Sequence, residues 1–390
     1  MPKTSRLVSI DAFRAIIMLL MIFVNDLWTL VDIPGWLGHA SAHVDDMGLA
    51  DFIFPAFLFI VGLSIPYAID GRRKKGENNV GIVTHILWRT LALLTMGLFL
   101  VNAEVYGGDT ILPKPVWMLL LISALFLIWL DYRYPTSKRA IALKLTGITL
   151  LFTLALLYRT ETGNGLGAMQ TYWWGILGLI GWCYLISSLC FLLTKGKLAA
   201  QIIILALFIF LNAAPYFNWL SFLDVVKNRV WVIQDGALPT LTTVGAITAI
   251  LYRTMGIKNR FWFSLLIMAI ILLSFGIATR SVWGISKIRA TPSWATICAA
   301  LSIICFAFFV FLTDVKKKIN WYKLVKPAGT STLTCYLLPY IHYSLLGFVT
   351  FRLPVFWRSA EIGLLKSLLY ALLIVTVTCL LEKKNIRLRI

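Results

Sequence analysis

Long stretches of this chain hold almost no charge, and that limits its possible folds more than any motif does. Residues 12–30 are one such run, and others follow along the whole length. Each comes close to the roughly 20 residues that a helix needs to cross hydrocarbon. The composition agrees: over 390 residues, 59% are hydrophobic and 14% charged, with a mean hydropathy of +0.84. Soluble domains are nearer about 45–50% apolar and about 25% charged, and disordered chains need the opposite balance. The chain therefore reads as an all-α integral membrane protein in the lipid bilayer. It is expected to be a polytopic bundle of about 11–12 transmembrane helices.

Candidate spans fall near 11–31, 49–69, 83–103, 115–130, 141–158, 172–194, 198–213, 237–255, 262–279, 293–313, 330–350 and 364–381. The fourth and seventh are short enough to be tilted or re-entrant. No loop is long enough for a soluble domain, so residues 1–390 read as one transmembrane unit. The longest outer connection, 215–238, carries Tyr216, Phe217, Trp219 and Trp231 and is expected along the interface. Lys3 and Arg6 precede the first run as in a signal peptide. That run is too long for one and lacks a clean small-residue cleavage site, so it stays as the first span.

A net charge of +19 would suggest a nucleic-acid surface in a soluble protein. Here it follows from loops on one side collecting Lys and Arg. With the N-terminus inside, 22 of them lie in cytoplasmic segments, nine outside and five within spans. That bias predicts an N-in, C-in topology and no nucleic-acid partner. The cysteines (Cys183, Cys190, Cys298, Cys305, Cys335 and Cys379) all sit inside apolar runs without a C-x-x-C pair, and read as reduced.

Ionisable residues in a membrane are expensive and mark candidate sites. Asp11 and Arg14 are spaced i, i+3 and can pair, while Asn25 and Asp26 lie almost four turns further out. The loop that follows, residues 31–48, contains no Lys or Arg. It holds His39 and His43 among Asp32, Asp45 and Asp46, with Asp51 just beyond. Histidine suits proton transfer near neutrality, and a neighbouring carboxylate can fix its tautomer. A solvated, idle loop histidine is the plainer reading. A metal site from His39, His43 and Asp45 matches no established ligand spacing, so no metal is expected. His85 reads as interfacial, and His342, mid-span, as a packed, hydrogen-bonded histidine.

These residues resemble the heparan-α-glucosaminide N-acetyltransferase family, especially its bacterial members. The resemblance is carried by Asp11-x-Phe13-Arg14, by Phe23-Val24-Asn25, by the short His-bearing loop, and by Leu49-Ala50-Asp51-Phe52-Ile53-Phe54-Pro55. Further echoes are Tyr172-Trp173-Trp174-Gly175, Ser286-Lys287 through Trp294, and Gly329 through Tyr336. The chain departs from the family pattern after His39, where Ala40-Ser41-Ala42-His43 replaces a Trp-x-Gly-like stretch in a slightly longer loop. A Gln-Arg pair common near span six in relatives is absent.

The resemblance implies a multi-span enzyme of the bacterial inner membrane. It would move an acetyl group from cytoplasmic acetyl-CoA to the amine of a glucosamine-type acceptor outside. By the same resemblance an outer histidine is catalytic, matched best by His39 with His43 as the alternative, and Asn25 assists it. His39 would act as general base or carry the acetyl group covalently. Asn25 would donate to the oxyanion, and Asp51 would orient the histidine or bind sugar hydroxyls. The phosphates of coenzyme A need cations at the inner mouth, for which Arg14, Arg89, Arg253, Lys323 and Lys326 are candidates. Asp26, Asp45, Lys287, Trp294, Tyr336 and His342 are candidates for contact with the acceptor. A homodimer is compatible with this reading. Rival readings are an O-acyltransferase of a surface glycan, a secondary transporter and a non-catalytic scaffold. No internal repeat aligns by eye, which weakens the transporter.

Overall fold

The computed structural model describes residues 7–107, 110–162, 165–172, 174–219, 221–223, 236–349 and 354–390. Lys3, Arg6, Trp173, Trp231 and most of the 215–238 connection lie outside the described residues.

Among the described residues, twelve long helices coincide with the twelve expected spans. They are α1 (Val8–Asp26), α2 (Leu49–Arg73), α3 (Asn79–Glu104), α4 (Lys114–Trp129), α5 (Lys138–Leu156) and α6 (Ile176–Leu193). The second half comprises α7 (Leu198–Ala213), α8 (Ala237–Met255), α9 (Asn259–Ala278), α10 (Pro292–Phe309), α11 (Thr332–Leu346) and α12 (Ala360–Lys383). Nine of the twelve are long and apolar enough to cross a membrane. The protein is an all-α, multi-pass integral membrane protein. The two short runs, α4 and α7, are continuous helices of 16 residues each. A short antiparallel pair, Thr160–Thr162 with Gly165–Gly167, was not expected from sequence.

The helix starts are written locally. Asn78 accepts the Gly81 N–H at 2.8 Å to open α3, Ser137 accepts that of Ala140 at 3.2 Å for α5, and Thr291 that of Trp294 at 3.4 Å for α10. The expected first span extends five residues past the true end of α1, because Asp26 to Leu30 tighten into a 3₁₀ turn. α11 starts later than expected because a single turn, Lys326–Thr330, precedes it and the chain breaks direction at Ser331.

Burial sorts the helices into an inner set and a lipid-facing rim. In the most apolar stretches of α1, α2, α3, α6 and α10, 61–67% of residues are covered by protein, against 22–28% for α5, α7, α9 and α12. α8 is the centre: every residue from Ala237 to Leu251 is buried. A helix surrounded by protein need not be strongly apolar, which explains the threonines there. Thr240 and Thr248 return their hydroxyls to carbonyls four residues back at 2.9 Å, and Thr242 meets Ser187 of α6 at 2.6 Å. α2 and α8 pack backbone to backbone, with Gly62 against Thr242 and Gly245 against Phe59.

One end of the bundle gathers the start of α1, the turn before α11 and the last residues of the chain. Gly329 lies against the Asp11 carbonyl, and the Leu388 N–H donates to Thr334 Oγ1 at 2.9 Å. The opposite end carries the α1–α2 loop. All six cysteines are unpaired, buried or half-buried.

Candidate active site

The α1–α2 loop is folded against the start of α2. Its first residue Val31 bonds the Arg358 carbonyl at 2.8 Å, and residues Gly35–Leu37 make a single 3₁₀ turn. Gly48 touches the Gly38 carbonyl so closely that no side chain fits there. This brings His39 back over the first turn of α2, where Asp51 sits as its third residue.

Asp51 is 1% exposed and fully engaged. Its Oδ2 accepts the N–H groups of Ala40 (2.9 Å) and Gly48 (3.1 Å), capping α2 and pinning the loop. Its Oδ1 meets His39 Nδ1 at 2.7 Å. Lys287, from the α9–α10 connection, approaches the same carboxylate at 3.8 Å and His39 Nδ1 at 3.3 Å. Nδ1 cannot donate to Asp51 and accept from Lys287 at once. The shorter contact to a buried carboxylate decides it: Nδ1 carries the proton, and Nε2 is left as the basic atom. His39 is 53% exposed, so that atom is within reach of a ligand. His43 is exposed and makes no hydrogen bond or ion pair among the described residues.

The second half of this site comes from the α9–α10 connection. Trp294 is buried and its Nε1 donates to the Asp51 carbonyl at 3.2 Å. It supports Asp51. Asp45 is likewise committed to the protein. It accepts the Ile285 N–H at 2.6 Å and Arg280 Nε at 2.8 Å, which hold its carboxyl below the usual carboxylate range. Burial pushes the Lys287 ammonium below its ordinary value, opposed by the charge of Asp51.

Asn25 faces a cavity of about 710 Å³ between α1, α3, α11 and the start of α6, and no hydrogen bond joins it to His39 among the described residues. Beside it, Asp26 turns inward and is buried. It accepts from Tyr343 and Ser367 at 2.5 Å each and pairs with Lys366 at 2.9 Å. His342 bonds Tyr370 at 3.1 Å in the same network. Asp26 and His342 thus tie α1, α11 and α12 together rather than lining the cavity that Asn25 faces.

A second cavity of about 310 Å³ lies at the end that gathers the start of α1 and the last residues of the chain. Arg14, Arg89 and Arg389 line it. Arg14 reaches Asp11 at 3.3 Å and Ser64 at 2.9 Å. Arg89 lies over the Tyr184 ring at 4.7 Å, and its Nε is buried without a hydrogen bond. The two cavities share Met18, Ile176, Leu177 and Tyr336 in their walls, so together they run along α1. Of the other expected cations, Arg253 is paired with Asp70, and Lys323 and Lys326 are exposed outside this wall.

Residues 6–242 match the family described as a domain of unknown function, DUF5009. The chain belongs to that family. It is also similar to heparan-alpha-glucosaminide N-acetyltransferase of Homo sapiens, with 34% identity over 101 residues, and to that of Mus musculus, with 30% over 104. Those stretches cover 25% and 26% of this chain and 14% of each relative, so the chain spans a small part of the relatives it matches. The DUF5009 stretch takes in His39, Asp51, Asn25, Arg14 and Arg89 but ends in the first turns of α8. Lys287, Trp294 and Tyr336 come from beyond it. Glu104, Ser64 and Arg389 were not anticipated. Each is a polar residue at a span end or inside a run, and only packing shows that Glu104 and Arg389 face the cavities. Among the described residues, no three His, Cys, Asp or Glu side chains gather to hold a metal ion.

Proposed function

We propose that this protein is a transmembrane acetyltransferase. It takes the acetyl group of acetyl-CoA on the Lys- and Arg-rich side and delivers it to the amine of a glucosamine-type sugar on the opposite side. The observation that carries this reading is the pair of neighbouring cavities along α1, which share Met18, Ile176, Leu177 and Tyr336 in their walls, one lined by arginines and the other by Asn25. The His39–Asp51 pair lies at that same second end, since α2 returns from where α1 finishes. The similarity to an acetyltransferase, although partial, points the same way.

On this reading the inner arginines Arg14, Arg89 and Arg389 neutralise the donor's phosphates, and its thin arm extends past Tyr336. His39 Nε2 accepts a proton from the acceptor amine while Asp51 stabilises the resulting imidazolium. The amine nitrogen then bonds to the thioester carbon, the C–S bond breaks, and the thiolate leaves and takes up a proton. Asn25 supplies an amide N–H to the developing oxyanion, a contribution of about 3 kcal/mol where such donors have been removed. The Lys/Arg bias puts both termini in the cytoplasm, with the protein in a bacterial inner membrane.

The test is to incubate purified protein in lipid with radiolabelled acetyl-CoA and a panel of glucosamine, N-acetylglucosamine and glucose. Label is expected in glucosamine. Label in a hydroxyl of the other sugars would mark an O-acyltransferase, and no labelled sugar or protein would overturn the reading.

A further inference from the structure

The larger cavity has an uneven chemistry. Its lining includes Asn25, Tyr336, Tyr340, Tyr343 and Trp28, with one carboxylate residue, Glu104 of α3, and the Tyr343 hydroxyl donates to Asp26. Among the described residues no lysine or arginine lines it. The neighbouring cation, Lys114, gives its ammonium to the backbone carbonyl of Glu104 at 3.0 Å and not to the carboxylate. Among the described residues the Glu104 carboxylate therefore has no hydrogen bond or ion pair of its own. An exposed carboxylate beside aromatic cavity walls, attracted by Lys114 but not hydrogen-bonded to it, is complementary to a cation that also presents a flat apolar face. A sugar ring has such a face, and aromatic side chains such as Trp28, 72% exposed, supply its counterpart. The volume of about 710 Å³ falls within the range of small-ligand pockets.

We infer that this cavity is the acceptor subsite, and that Glu104 selects a primary ammonium group carried on a sugar ring. The inference rests on the acetyltransferase reading for its place in a reaction but not for its binding claim. It adds a device that the reading lacks. Acetylation turns a charged amine into a neutral amide, so the product loses its attraction to Glu104 and leaves. Glu104 is in this sense a specificity-determining residue. With no cation in the wall, the cavity also disfavours sulfated or phosphorylated sugars.

The experiment is equilibrium binding to the full chain in nanodiscs, without acetyl-CoA. The ligands are glucosamine, N-acetylglucosamine, glucose and ethanolamine, and the proteins are wild type, Glu104→Gln and Glu104→Asp. A charge-assisted contact of this kind predicts about ten- to hundredfold preference of the wild type for glucosamine over the two neutral sugars. Glu104→Gln should erase that preference, and Glu104→Asp should keep part of it. Equal binding of glucosamine and N-acetylglucosamine by the wild type overturns the inference even if a variant fails to fold. So does a preference that survives Glu104→Gln, or ethanolamine binding as well as glucosamine. The two readings separate cleanly. Glu104-dependent binding without acetyl transfer would sink the proposed function alone. Acetyl transfer with an unchanged KM for glucosamine in Glu104→Gln would sink the subsite alone.

Discussion

At the scale of single residues, the site divides into a side chain that works and side chains that hold it. His39 is half exposed and its loss leaves no cavity, so His39→Ala should melt like the wild type while acetyl transfer falls about 10²- to 10⁴-fold. His43→Ala should change neither, because nothing among the described residues is built on it; an assay in which His43 matters and His39 does not would reverse the assignment. Asp51→Asn should be worse in a second respect. It removes the partner that fixes the His39 tautomer, and it weakens the acceptor for two backbone N–H groups in a site that is 1% exposed. A lower melting temperature, by about 1–3 kcal/mol of stability, should therefore accompany its lost activity. Asp45 offers a pH signature. Its carboxyl is held below the ordinary value in the fold, so its contribution is present above that ordinary value, near about 3.9, and disappears as pH falls through the depressed one. Hydrogen exchange of the 31–48 loop should be faster in Asp45→Asn than in wild type at pH 6, and the two should converge as pH falls through the depressed value. A gap that persists at low pH would mean that shape, not charge, holds the loop.

At the scale of helices, apolar run length was legible because hydrocarbon demands it, and all twelve runs became helices. What run length could not show is which helices face lipid. α8 carries threonines and falls short of a spanning hydropathy, yet it lies at the centre because protein replaces lipid around it. The site was half legible for a related reason. His39 and Asp51 are 12 residues apart in a loop that must fold back, whereas Lys287 is 248 residues from His39 and meets it only through packing. Asn25 reads as an oxyanion donor from motif context, and the helix turns it toward the cavity bordered by α3 and α11. The α2–α8 contact yields a prediction at this scale. A side chain at Gly62 or Gly245 would collide with the facing backbone, which cannot swing aside as a flexible side chain would. Gly245→Val should therefore destabilise by more than about 1–3 kcal/mol, the usual range for overpacking. Gly71→Val, where nothing lies within 4 Å, should be tolerated. Detergent melting of both variants decides it, and equal melting would mean that the two helices can move apart freely.

At the scale of the whole molecule, the question is whether donor and acceptor ends communicate. The cationic cavity and the Asn25 cavity share wall residues at Met18, Ile176, Leu177 and Tyr336, and on the proposed function that shared wall is the junction between them. A donor whose phosphates stay by Arg14 and Arg89 must pass its arm through that junction. Leu177, at the start of α6, is the place to obstruct it, because it lies in the wall that both cavities share and, among the described residues, is not hydrogen-bonded to the arginines. Leu177→Trp should leave acetyl-CoA binding near the wild-type value, since the inner mouth is intact, while transfer to a sugar falls to background. Leu177→Ala, which widens the junction, should keep both. The binding measurement is what makes this test specific: a misfolded variant loses both functions, whereas an obstructed one loses only transfer. If Leu177→Trp transfers acetyl normally, the arm takes another route and the two cavities serve separate purposes. In that case the Lys and Arg bias would still orient the protein in its membrane, but the reaction would have to take place on one side.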